Sequence, residues 1–348
     1  MPFVLATCLM LISAIGAGVE AAFADDVQQA HRANEPAKTK AAEARSPYFL
    51  DPAFDDLFLR PTILYSGGGY KNRIFHYRLF VPDTLPSGSR FPLIVWLHGW
   101  GEGGDDNCRH LLYFNDYFLS PPWDRERYPY FIVAVQCPSK NQSWTTDSPD
   151  ADDMVNVCAA IIDKTLADYP AIDANRVVLS GVSSGGSGCW ELAIRRPELF
   201  AAVAPLASGG GDLSRIDRLA KIPVWAFHSQ YDKAASIEPD RQTVAALKAA
   251  GGCATLTEVN MTEHGCWTPA FMQYDLLTWL LGQERGRTPV EPPGTITMAG
   301  RMRSIANTVS NTAARWKPWQ IAVQIGVPAL IVLVVWSVYR TQKLGRRT

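Results

Sequence analysis

Continuous apolar runs of strand length, alternating with segments of helical length, restrict the fold of this chain more than any other feature. Leu93–Leu97 (LIVWL) and Phe131–Val135 (FIVAV) are apolar at every position, the pattern of a strand covered on both faces. Val177–Leu179, Phe200–Pro205, Val224–Phe227 and Leu256–Val259 add further strands in order. Between and after them the spacing predicts helices over 152–169, 184–196, 238–250 and 268–281. Their ends carry stop signals: Pro170, Pro197 and the pair Gly251-Gly252. Ile74–Val81 alternates instead and stops at Pro82, as an antiparallel entry strand would. The expected class is α/β, a mainly parallel central sheet with helices on both faces, in one domain over residues 47–282.

The two ends read differently. Residues 3–19 are apolar, and Ala22-Phe23-Ala24 before Asp25-Asp26 resembles a signal-peptidase site, although no Lys or Arg precedes the run. Residues 1–24 are therefore expected to be a signal peptide, with an uncleaved anchor as the alternative, and 25–46 a flexible leader. Residues 283–318 carry prolines and scattered charge and read as a linker. Residues 321–339 hold no charge, and Trp319, Trp336 and Tyr339 sit near the ends of this run. This predicts a C-terminal transmembrane helix over 319–340. A basic cytoplasmic tail over 341–348 follows, which orients the domain to the exterior. The expectation is an exported, membrane-anchored protein with its folded domain on the periplasmic or extracellular side. With 33 basic and 34 acidic residues the net charge is −1, so nothing suggests nucleic acid as a partner. Loss of Cys8 with the signal would leave six cysteines. Their pairing stays open, Cys253 and Cys266 bracketing one strand, and their spacing suits no metal.

The densest chemical signal is Gly181-Val182-Ser183-Ser184-Gly185, a Gly-x-Ser-x-Gly run after a strand (RVVL) and before a helix. Such a sharp turn exposes the serine in a strained backbone, and its neighbours must be glycine to avoid collision. Ser183 is thus the expected nucleophile, with Ser184 donating a backbone N–H to the oxyanion. Of the six histidines, His264 lies in the loop after the last strand, where a general base would follow in chain order. An acid should come from the loop after the preceding strand, and Asp232 sits there, with Glu238, Asp240 and Glu263 as rivals. The second oxyanion donor should come from His98-Gly99-Trp100-Gly101, with Trp100 the candidate. His98, Gly99, Glu102 and Trp144 are expected around the substrate cleft. No cofactor or metal is implied. A nucleotide-binding turn is disfavoured because no Walker lysine is present.

The runs PLIVWLHGWGEGGDDN, AVQCPSKNQSW, VVLSGVSSGGSGCWELAIRRPELFAAVAPLASGG, IPVWAFHSQYDKAAS and TEHGCWTPAF occur in this order. Together they resemble the polyhydroxybutyrate-depolymerase-like and phospholipase/carboxylesterase-like esterases, relatives of dienelactone hydrolase and prolyl-oligopeptidase catalytic domains. The resemblance covers roughly residues 70–282. It implies the α/β-hydrolase fold, Ser183, Asp232 and His264 as a triad, Trp100 and Ser184 for the oxyanion, and a small-molecule or polymeric ester as substrate. Four positions depart from it: Ser229 replaces a glycine after His228, Ala235-Ser236 a valine-proline pair, and Cys189 a common threonine. A serine peptidase or acyltransferase on the same residues is one alternative, and a non-catalytic, membrane-tethered binding protein another. Oligomeric state is left open.

Overall fold

The computed structural model describes residues 56–293, apart from 83, 84, 86, 112–117, 119–128, 140, 141 and 146–152. The expected signal peptide, leader, transmembrane helix, basic tail and linker beyond 293 lie outside the described residues. Among those described, no helix is long and apolar enough to cross a membrane.

Among the described residues nine strands join: β1 Phe58–Leu59, β2 Thr62–Gly67, β3 Tyr70–Phe80, β4 Phe91–Leu97, β5 Phe131–Val135, β6 Ile172–Val182, β7 Ala202–Leu206, β8 Val224–Ser229 and β9 Ala254–Val259. Their order is β1-β3-β5-β4-β6-β7-β8-β9, and β2 pairs with the first half of β3. From β5 to β9 every pairing is parallel, while β3 is antiparallel to β1, β2 and β5. The sheet is therefore mixed, and its parallel part carries the fully buried strands read from the apolar runs. β2 was not expected, because its side chains alternate between exposed and half-buried and leave no apolar run to recognise.

The α-helices among the described residues are α1 Met154–Asp168, α2 Ser184–Arg195, α3 Glu238–Ala249, α4 Trp267–Met272 and α5 Leu276–Leu281. Asp153 caps α1, accepting the N–H groups of Val155 and Asn156 at 3.0 and 3.4 Å. Alternation along β4 divides the core in two. Leu93, Val95 and Leu97 pack with α1, α2 and α3, whereas Ile94 and Trp96 pack with Phe271, Leu276 and Trp279 of α4 and α5.

One expected helix, 268–281, is broken. Pro269 O accepts both Gln273 and Tyr274 N–H, and Asp275 then turns left-handed at φ 54° before accepting the Thr278 hydroxyl. Both pieces bury apolar side chains on the same sheet face, so apolar spacing runs across the break without registering it. Beyond α5 the chain stays on the domain past the expected boundary at 282. Val290 exchanges hydrogen bonds with the Gln283 side chain, and its carbonyl takes the Trp279 indole N–H at 2.8 Å.

Parallel strands bring all their carboxyl ends to one edge. The chain crosses from β4 to β5 on one side and then returns to β6 on the other. The reversal opens a crevice beyond β4 and β6, where ligands of such sheets bind.

Candidate active site

Ser183 sits at that crevice, between the end of β6 and the start of α2. Its backbone has φ 55° and ψ −118°, a combination that L-residues rarely adopt. The flanking glycines have a steric cause. A Cβ on Gly181 would stand 2.7 Å from Leu97 O and 2.8 Å from Gly185 O, and one on Gly185 would strike the Leu97 and His98 carbonyls. The turn is pressed against the end of β4 and anchored to β7 by Ser183 N–H on Leu206 O at 2.7 Å. Gly185→Ala is therefore expected to destabilise the domain by about 2–3 kcal/mol. Urea denaturation reads this, and an unchanged midpoint would mean that the helix start relaxes freely.

His264 follows β9 and meets the serine. Its Nε2 lies 2.9 Å from Ser183 Oγ, and its Nδ1 lies 2.6 Å from Asp232 Oδ2. Trp267 stands edge-on to the imidazole, centroids 5.5 Å apart. Asp232 follows β8 with its carboxylate fully buried, and its Oδ1 accepts Ala234 and Ala235 N–H at 2.8 and 3.0 Å. Burial opposes its ionisation, but the His264 bond and these N–H groups outweigh that and hold it below the ordinary carboxylate range. The arrangement suits an Nδ1–H donated to the carboxylate and an Nε2 free to accept the serine proton. The rival acids lie elsewhere: Glu238 and Glu263 bond to Arg241 and Thr262, and Asp240 faces His228.

The loop after β4 lies beside the serine turn. A Cβ on Gly99 would lie 3.4 Å from the Val182 side chain and 3.2 Å from Glu102 Oε1. Trp100 is 57% exposed, and the chain folds back beyond it with Gly101 at φ 90° and Glu102 N–H on Gly99 O at 3.4 Å. Ser184 opens α2, so its N–H has no partner within the helix.

No family model matches the chain, and no curated protein matches it. Among solved structures it is similar to a thermostable esterase, at 33% identity and a TM-score of 0.59, over 66% of this chain and 64% of that one. A ferulic acid esterase matches at 15% identity and TM-score 0.50, over 64% of this chain and 96% of that one. An acylaminoacyl peptidase of Pyrococcus horikoshii matches at 14% and 0.50, over 68% and 43%. The chain thus spans less than two thirds of the first esterase's length.

The fold is that of the α/β-hydrolases.

Within this α/β-hydrolase fold all four residues expected around the cleft, His98, Gly99, Glu102 and Trp144, are buried. His98 and Trp144 are 2% and 1% exposed, because they build the rear of the loop rather than line an opening. Trp144 donates its indole N–H to His98 O at 2.9 Å, and His98 Nε2 accepts Cys137 N–H at 3.0 Å. Burial lowers the His98 pKa to about 4, so its ring is neutral and fixed in one tautomer, with Nδ1–H toward Gly99 O. Glu102 also folds inward. It is 8% exposed, its Oε2 has no partner, and burial pushes its pKa up to about 8.

A polar cavity of about 430 Å³ borders α2 one turn beyond Ser183, lined by Thr145, Ser187, Glu191, Asp212, Arg215 and the Gly209–Gly211 backbone. The sequence signalled it only as a glycine run after β7. Among the described residues no cluster of His, Cys, Asp or Glu could hold a metal, and the six described cysteines are free thiols. Cys266 is buried with its thiol on Phe227 O, while Cys253 is exposed.

Proposed function

We propose that this chain is a serine hydrolase that cleaves a carboxylic ester through an acyl-enzyme on Ser183. The observation that carries this reading is the unbroken series of hydrogen bonds from Ser183 through His264 to Asp232 at a strained turn. His264 Nε2 takes the hydroxyl proton as Ser183 Oγ attacks the ester carbonyl carbon. Ser184 and Trp100 N–H groups hold the resulting oxyanion, and the imidazolium returns the proton to the departing alkoxide. Water, deprotonated by the same imidazole, then attacks the acyl-enzyme and releases the acid. Asp232 keeps the imidazole in the required tautomer and stabilises its cation.

The similarity to a thermostable esterase favours an ester over an amide, and the polar cavity beside Ser187 offers room for a hydrophilic part of the substrate. From the sequence of its two ends, we place the domain outside the cytoplasm, tethered by residues 319–340. The test uses the full chain with nitrophenyl esters of increasing acyl length and, in parallel, a fluorophosphonate probe. Hydrolysis of at least one ester with stoichiometric labelling of Ser183 is expected. Absence of both would sink the reading.

A further inference from the structure

Behind the proposed catalytic acid lies a second histidine–carboxylate pair that this mechanism does not use. His228, at position five of β8, is fully buried, with Nδ1 2.7 Å from Asp240 Oδ2 on α3. Its Nε2 lies 3.2 Å from Ala235 O and 3.5 Å from Asp232 Oδ2, the oxygen that also meets His264. Both ring nitrogens therefore face acceptors. A neutral imidazole has one N–H and would turn a lone pair toward an oxygen on its other side.

Asp240 cannot supply the missing proton, because it is saturated with donors. Ser208 N–H reaches its Oδ2 at 3.1 Å, the Ser208 hydroxyl donates to Oδ1, and Trp190 Nε1–H, bonded to Ser208 Oγ at 2.9 Å, also approaches Oδ1 at 3.3 Å. Each of these bonds calls for the carboxylate. The matching state of the ring is the imidazolium, donating from both nitrogens. Other charges around the ring are accounted for. Glu258, its register partner on β9, is tied to Arg241 at 2.6 Å, and the Cys266 thiol is kept protonated by burial.

We propose that His228 is a buried imidazolium, held by Asp240, that positions Asp232 and the loop carrying it, so that both are positioning residues for the reaction at Ser183. Ala235 closes the unit, since its N–H binds Asp232 at 3.0 Å while its carbonyl takes His228 Nε2–H. Asp232 then stands between two rings, with His264 exchanging protons and His228 keeping its own. The direction of the ring's titration agrees. Burial disfavours its charge, yet Asp240, Ala235 and Asp232 together raise its pKa above the ordinary histidine value.

The kinetic part of this inference rests on the proposed hydrolase reading; the charge state does not. Two measurements on the full chain separate them. Nitrogen-15 spectra of the histidine rings, in the wild type and in Ser183→Ala, are expected to show both His228 nitrogens protonated at pH 7.5, and Asp240→Asn to abolish this. A neutral His228 ring in the wild type would overturn the proposal, whatever the enzyme hydrolyses. In ester kinetics, His228→Gln and Asp240→Asn are expected to lower kcat by on the order of 10- to 100-fold, with KM altered less than about twofold. Asp240→Glu should restore part of the loss. The acidic limb of kcat/KM should rise by about half a pH unit or more, because loss of the cation beside Asp232 strengthens the hold of that carboxylate on the His264 proton. An active wild type whose two variants stay within twofold, with an unmoved limb, would reject the positioning role and leave the hydrolase reading intact. A wild type that hydrolyses no ester rejects that reading, and the ring spectra still decide the charge.

Discussion

Ser183→Gly is expected to lower ester turnover by about 10,000-fold or more and at the same time to raise the domain's resistance to urea. The loss follows from removing the proposed nucleophile, after which the oxyanion donors and substrate binding alone remain. The gain follows from the backbone. At φ 55° and ψ −118° a Cβ is strained, and glycine is not. Relief of such strain contributes about 1–3 kcal/mol, and glycine's greater freedom in the unfolded chain offsets part of it, leaving about 1 kcal/mol net. Ser183→Ala separates the two effects, since it loses the hydroxyl but keeps the Cβ. It should be equally inactive without the added stability. Turnover surviving in either variant would remove Ser183 from the mechanism. An inactive but less stable glycine variant would show instead that the turn is held without strain.

Glu102→Gln should change how stability depends on pH more than any other single substitution in the site. In the folded chain burial pushes this carboxyl to about 8, against an ordinary value of 4.5. Below about pH 4.5 both states hold the proton, and folding bears no penalty. As pH rises from there to 8, the unfolded chain releases its proton while the folded one retains it, so stability falls; above 8 the loss is complete. The glutamine side chain does not titrate. The variant should match the wild type within about 1 kcal/mol at pH 4, and exceed it by roughly 3–5 kcal/mol at pH 9. Urea midpoints across that range measure the difference. A gap that does not change with pH would mean that Glu102 is ionised and hydrated in the native state. The location gives this proton a chemical consequence. Glu102 Oε1 lies against Gly99, and the Gly99 N–H bonds to its carboxyl, so a charged carboxylate would set a negative field beside the proposed oxyanion donor on Trp100. Kept neutral, it does not oppose the oxyanion at pH 7.

How much was legible beforehand depended on whether the cause lay along the chain or across it. β4 and β5 were readable because burial on both faces removes every polar residue from the run, and the residues alone show that. The serine turn was readable because two close backbone approaches exclude any Cβ, which leaves glycines at fixed spacing around Ser183. Chain order then selected Asp232 and His264, the two residues that the structure brings to Ser183. His98 and Trp144 are buried although the sequence places them next to the crevice, because proximity in sequence does not say which way a side chain turns. Both turn inward, onto each other and onto Cys137.

The succession of strands and helices, the turn at Ser183 and the loops from which its partners come were all readable from the residues, since they follow from local sterics and from short-range patterns, two residues in period along strands and about 3.6 along helices. Tertiary structure alone decided the rest. It turned Asp240 toward His228 and away from His264, folded Glu102 beneath Gly99, broke the helix at Asp275, and opened the polar cavity beside Ser187. Each of these depends on which oxygen or ring stands across a gap of about 3 Å from residues distant in the chain, and no periodicity records such a distance.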